Sequence, residues 1–333
     1  MNPSEDFVYR VCRKSFLSLW SYARPKGRKG KELCDILVVC DPYVIIFSVK
    51  DIGLGKSGVP SVDWKRWTKA AVEESRKQIH GAERWIRSAS HVVRSDGTQA
   101  LAFPMPAERW IFRVAVALGG KDQVPVASGD LGKGYVHIFD EAALNIVLHE
   151  LDTSTDFVNY LRAKEELATK RTGMLCRGEE NVLALYLRNG LKFPKSPDQI
   201  IIDDDLWGPL QQEPPYLAKK EADKTSYVWD NLIEIVCSDT LEGRLEFGGG
   251  LTEVEQALRV MAREDRYSRR LLGGAFREFI ETCVEKKIIS RMIASESGIV
   301  YVFLACPHGT EREHRKRELV LRCFVARGRH LDR

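Results

Sequence analysis

The stretch Glu32–Lys50, ELCDILVVCDPYVIIFSVK, constrains the fold of this 333-residue chain more than any other. Cys34–Cys40 and Tyr43–Lys50 are apolar runs of strand length, rich in β-branched residues, and the Asp41-Pro42 between them is turn chemistry. The spacing predicts an antiparallel hairpin. With the turn centred on Asp41-Pro42, or one residue later, Asp35 falls opposite Ser48 or Val49. Ser48 and Lys50 are two residues apart and share a face of their strand. An acid, a hydroxyl and a lysine then meet at the open end of an otherwise apolar hairpin. A carboxylate there is costly to desolvate without a partner, and a metal ion or the lysine could serve.

Asp35, twelve intervening residues and Ser48-Val49-Lys50 resemble the PD-(D/E)XK nuclease superfamily, the restriction-endonuclease-like fold. The resemblance covers about residues 1–120, the size of one ordinary domain. It implies an Asp on one strand and an acid-x-Lys on the next, together holding a divalent metal and a nucleophilic water. Two positions depart from the pattern. Cys34 precedes Asp35 where the family has Pro, and Ser48 stands where it has the second acid. A serine cannot replace a carboxylate as a metal ligand. Some restriction enzymes of the superfamily carry Ser-x-Lys and take the acid from the following helix.

The next helix offers a candidate. Trp64–Ile86 reads at helical spacing, with Trp64, Trp67, Ala71, Ala82 and Trp85 on one face. Glu74 and Gln78 fall on that same apolar face, and Glu73, Arg76, Lys77, His80, Glu83 and Arg84 on the opposite one. A Glu on an apolar face needs a reason, so Glu74 is expected to replace the acid missing at position 48. Gln78 resembles the downstream glutamine of several nuclease families. Pro3–Ala23 reads as the first helix, and Glu5 in its first turn either complements the helix dipole or, as the resemblance implies, joins the metal site. The loop Arg24–Lys31, RPKGRKGK, has five cations among eight residues and leads into the Asp35 strand. It is either a solvated surface loop or a grip on DNA phosphates.

The remaining chain bounds the setting rather than the chemistry. A net charge of +4 permits nucleic-acid binding without arguing for it. Eight cysteines show no CxxC spacing and most sit in apolar runs, which predicts free thiols in a reducing cytoplasm. No apolar run is long enough to span a bilayer, so no membrane partner is expected. Trp110–Leu118 and Tyr135–Phe139 read as further strands of a central sheet. Asp198–Pro215, with three prolines and the acids Asp203, Asp204 and Asp205, is a boundary candidate, and Gly248-Gly249-Gly250 is a flexible break. Glu311–His330 is a strongly charged amphipathic close.

The expected architecture is α/β. A restriction-endonuclease-like domain at residues 1–195, a mixed central sheet flanked by helices, precedes a mostly helical α+β domain at residues 216–333 that could bind nucleic acid or a partner. The resemblance implies an Mg²⁺-dependent endonuclease acting on DNA, with Mn²⁺ able to substitute. Asp35, Glu74 and Glu5 would hold the metal, Lys50 would orient or deprotonate the water, and Gln78 and Ser48 would stand beside it. Restriction or anti-phage defence is the setting the resemblance suggests, and a homo-oligomer or protein partner is compatible with it. The alternative is a degenerate nuclease fold that binds nucleic acid or a partner without cleaving. Ser48 is the feature that favours it.

Overall fold

The computed structural model of the chain describes all residues except 121–127, 131–132, 171–172, 177, 196–198, 203–204, 245–249, 287–289 and 332–333. Asp203, Asp204, Gly248 and Gly249 therefore lie outside the described residues. The architecture is mixed α/β around a six-stranded mixed sheet.

Helix α1 (Pro3–Phe16) is capped by Asn2, whose side chain accepts the Glu5 N–H. The sequence predicts this helix through Ala23, but it ends earlier. Leu17 takes a left-handed φ of 68°, and Ser21–Ala23 forms strand β1. β2 (Ile36–Cys40) and β3 (Tyr43–Asp51) form the expected hairpin, with Cys40 paired to Tyr43 and Ile36 to Phe47. One step further, Asp35 faces Ser48. β1 pairs antiparallel with β2, so the chain first builds an antiparallel meander.

The chain then crosses through α2 (Pro60–Trp67), a π-helical turn (Thr68–Glu73) and α3 (Glu74–Ile86). A side hairpin, β4 (His91–Val93) and β5 (Gln99–Ala102), follows. β6 (Trp110–Leu118) returns parallel to β3 along nine paired residues. β7 (Gly129–Asp130) and β8 (Tyr135–Phe139) complete the order β1-β2-β3-β6-β8-β7. A crossover helix is what a parallel return requires.

β2 is buried throughout and β3 is buried through Val49, because both sheet faces are covered. Phe47 packs towards Phe16 of α1 and Phe157, with centroids 6.4 Å away in each case. The alternate residues Ile46, Ser48 and Lys50 share the other face with Arg113, Ala115 and Ala117 of β6. α3 covers this face and links to it through Ser48 and Arg113. The small Ala115 and Ala117 leave room for the crossing segment beside Lys50.

α4 (Glu141–Glu150), α5 (Ser154–Lys170) and α6 (Glu179–Arg188) follow, with the short parallel pair β9 (Gly173–Cys176) and β10 (Gln199–Ile202). The helices α7 (Trp207–Leu210), α8 (Pro214–Asp223), α9 (Tyr227–Leu241), α10 (Leu251–Ala262) and α11 (Arg266–Lys286) come next. The hairpin of β11 (Ser290–Ala294) and β12 (Val300–Leu304) and the last helix, α12 (Arg312–Leu331), close the chain. Trp229, Ile233, Val254 and Leu258 from this region belong to the same buried cluster as the sheet. Polar ties cross there too. Trp20 Nε1–H donates to Glu255 at 2.8 Å, and Arg259 pairs with Asp41 at the hairpin turn. Among the described residues no helix is long and apolar enough to cross a membrane.

Candidate active site

The π-helical turn decides which side chains of the crossing helix reach the sheet. A π turn carries more residues than an α turn, so each helical position after it is displaced around the axis. Trp67 before it and Ala71 within it are buried as the spacing predicts; after it, the buried positions are Ser75, Ile79, His80, Ala82, Glu83 and Ile86. The inward face has slipped by one residue relative to an uninterrupted α-helix.

This slip corrects the expectation for Glu74. Glu74 does not lie on the apolar face. It is exposed, and its Oε1 accepts from Lys77 Nζ at 2.6 Å. The Lys77 ammonium, through that hydrogen bond and its charge, holds the Glu74 carboxyl below its ordinary range. The same slip buries His80 and Glu83, which the spacing places on the polar face. Glu83 becomes the buried acid of the helix, held by Arg113 Nε and Nη2, each at 2.6 Å, and by Arg87.

Gln78 does reach the sheet. Ser48 is fully buried, and a buried hydroxyl must find a partner. Its Oγ–H donates to Gln78 Oε1 at 2.8 Å, and Gln78 Nε2–H donates to Asp35 Oδ1 at 3.4 Å. Asp35 Oδ2 accepts the backbone N–H of Val49 at 2.5 Å. Asp35, Ser48 and Gln78 thus form one chain of hydrogen bonds across β2, β3 and α3. Burial pushes the Asp35 carboxyl up. The Val49 N–H and the Lys50 charge oppose that shift, and the Glu5 charge adds to it. Lys50 is half-buried on the same face as Ser48, and among the described residues its ammonium forms no hydrogen bond or ion pair.

Glu5 is committed to its own helix end. Its carboxylate accepts from Asn2 Nδ2 at 2.8 Å and from the Asn2 N–H at 3.3 Å, completing a capping box. It reaches Asp35 through its charge. Two further acids are held in the segment that follows Lys50. Asp51 accepts from the Ser4 hydroxyl of α1. Asp63, in the first turn of α2, is 7 % exposed; its Oδ2 accepts the Ser57 N–H at 2.9 Å and its Oδ1 has no partner among the described residues. It anchors the loop that follows Lys50, and at Gly55 an added Cβ would stand 2.6 Å from that Oδ1. The sequence signal for Asp63 is its place in the first turn of a helix that opens on Pro60.

The basic loop lies directly beside the site. The Arg24 N–H donates to the Asp35 carbonyl oxygen at 2.8 Å, and Arg24 Nε pairs with Glu32 at 2.6 Å. Arg28, Lys29 and Lys31 are exposed.

The expected three-carboxylate metal set does not assemble. Among the described residues no group of three or more His, Cys, Asp or Glu side chains is placed to hold one ion. Asp35 alone of the three fits. Among the described residues its Oδ1 is held only by the long bond from Gln78, and Mg²⁺ is commonly bound by one or two carboxylates with waters and substrate phosphates. Comparison with family models, curated proteins and solved structures found no match to this chain.

Proposed function

We propose that the chain is a restriction-endonuclease-like nuclease that hydrolyses phosphodiester bonds of DNA. One observation carries this reading: Asp35, Ser48 and Gln78 form a single hydrogen-bonded cluster beside Lys50, on an antiparallel meander followed by a helical crossover and a parallel strand. That strand order supports the restriction-endonuclease-like fold, and the cluster lies where the resemblance puts the chemistry.

Each residue has a task in this reading. Asp35 would hold Mg²⁺, or Mn²⁺ in its place; bound there, the ion polarises the scissile phosphate and acidifies a water. Lys50, with no carboxylate partner among the described residues, is available to a phosphate oxygen and stabilises the charge that develops on it. Gln78 fixes the Asp35 carboxylate and the Ser48 hydroxyl in one orientation. The exposed cations of the Arg24–Lys31 loop grip the backbone on either side of the scissile bond. Glu74 has no part.

A second reading is favoured by one observation, Ser48 bonded inward to Gln78 with no second carboxylate bonded beside Asp35 among the described residues. On that reading the same surface binds nucleic acid or a partner without cutting it. Cleavage of plasmid and single-stranded DNA with Mg²⁺ or Mn²⁺ separates the two. The nuclease reading predicts cutting that Lys50→Ala and Asp35→Asn abolish, and the scaffold reading predicts retained DNA binding with no cutting by any form.

A further inference from the structure

The terminal helix α12 holds the charge imbalance of the whole chain. Residues 312–331 contain seven Lys or Arg and two Glu, a net +5, while the complete chain carries +4. The rest of the molecule is therefore close to neutral. The same helix exposes large apolar side chains: Val320 is 45 %, Leu321 54 %, Phe324 67 % and Val325 52 % exposed. Exposed apolar groups scattered singly need no explanation, whereas a contiguous patch rimmed by charge marks an interaction surface.

The patch is contiguous and faces outward. At about 100° per residue, these four residues share one arc of the helix, and Ala326 falls opposite. Ala326 is buried and Arg322 half-buried, so the helix is seated by that opposite side. Lys316 and Arg327 border the apolar arc along one edge, and Arg317 closes its N-terminal end. Arg322 pairs with Glu318. Arg315, Lys316, Arg317 and Arg327 form no ion pair among the described residues.

We propose that this face of α12 binds an anionic lipid surface from one side, with Leu321 and Phe324 entering the acyl boundary and the flanking cations meeting the headgroups. Charge decides among occupants. A second copy would set one +5 helix against another. A nucleic-acid backbone would satisfy the cations and leave Phe324 and Leu321 in water. A lipid surface supplies anions and an apolar medium together, and the convex face of a single helix needs no matching groove there. Such contact differs from crossing the bilayer, and it is independent of the nuclease reading.

The test is co-sedimentation of the full chain with vesicles of phosphatidylcholine and phosphatidylserine, against vesicles of phosphatidylcholine alone. Binding is expected to the anionic vesicles, weaker by roughly tenfold or more for the neutral ones and for Lys316→Glu/Arg317→Glu. Leu321→Ser/Phe324→Ser is expected to weaken it by a similar factor while circular dichroism and melting temperature stay unchanged. A chain that ignores both kinds of vesicle overturns the proposal and leaves the patch to a protein partner. Equal binding by the serine variant overturns it as well, because charge alone would then explain the attraction. So does sedimentation as a dimer that the serine variant dissociates, which would give the face to a second copy.

Discussion

Ser48 donates its hydroxyl hydrogen to Gln78 Oε1 at 2.8 Å. The residue that stands in place of the expected acid is thereby tied to α3, and Gln78 passes the tie on to Asp35. Removing Gln78 leaves a fully buried hydroxyl unpaired and frees the Asp35 carboxylate to turn. Gln78→Ala is expected to cost about 1–3 kcal/mol in urea unfolding. If the nuclease reading holds, it also lowers cleavage by about tenfold to a hundredfold, the scale of a misplaced catalytic group. Gln78→Glu tests the polarity of the contact, since two carboxylates would then face each other, and Mg²⁺ should raise its melting temperature more than that of wild type.

Glu74 supplies the opposite expectation. It is exposed and its partner Lys77 is more exposed still, so the pair contributes little. Glu74→Ala is expected to leave the urea-unfolding midpoint unchanged and, on the nuclease reading, to leave metal-dependent cleavage unchanged. A large loss of cleavage in this variant would return Glu74 to the site.

Asp35 pays for its position in stability. Burial raises its carboxyl pKa above the ordinary value of 3.8. Between the ordinary and the raised value the native form keeps a proton that the unfolded form has lost, so stability falls as pH rises through that window. Asp35→Asn carries no such penalty. It is expected to melt at least as high as wild type at neutral pH, with any excess vanishing in acid, and, on the nuclease reading, to lose metal-dependent cleavage. Differential scanning calorimetry across pH checks the first part.

Glu83 behaves in the reverse sense. Burial alone would raise its pKa, but the Arg113 and Arg87 guanidinium groups outweigh burial and hold the carboxyl below its ordinary 4.5. Its stabilisation is complete above that pH and is lost as pH falls through the depressed value. Glu83→Ala leaves Arg113 largely buried without its partner and is expected to cost about 3–5 kcal/mol, measured by urea unfolding.

Glu165 of α5 provides a titration near neutrality. Burial pushes its carboxyl up to about 7, against the charges of Arg113 and Arg162. Its Oε1 stands 3.1 Å from Nε2 of His137, a fully buried ring that burial keeps neutral. Stability is expected to decline as pH rises from 4.5 to about 7 and then level off. Glu165→Gln should remove that slope in a pH series of melting temperatures.

Much of the sheet was legible because β-sheet signals are local. The two apolar runs around Asp41-Pro42 announce the hairpin and narrow the partner of Asp35 to Ser48 or Val49; the pairing of Cys40 with Tyr43 selects Ser48. Trp110–Leu118 and Tyr135–Phe139 read as strands for the same reason. The placement of Glu74 was not legible. A uniform 100° periodicity assumes an unbroken α-helix, and nothing in Thr68–Glu73 announces a π turn. Everything beyond it is rotated, which moved Glu74 outward and brought His80 and Glu83 inward. Strand β1 was hidden as well, since Leu19, Trp20 and Tyr22 continue the apolar pattern of α1 after Leu17 has already broken the helix. The burial of Asp63 was not legible either, because it depends on the return of the Ile52–Val59 loop.

The most direct measurement is plasmid cleavage by the purified chain with Mg²⁺ or Mn²⁺, run beside Lys50→Ala and Asp35→Asn. The proposed function predicts cutting by wild type, its loss in both variants, and no effect of Glu74→Ala. Cutting that survives both substitutions would contradict it, and so would a wild-type chain that binds DNA and never cuts under either metal.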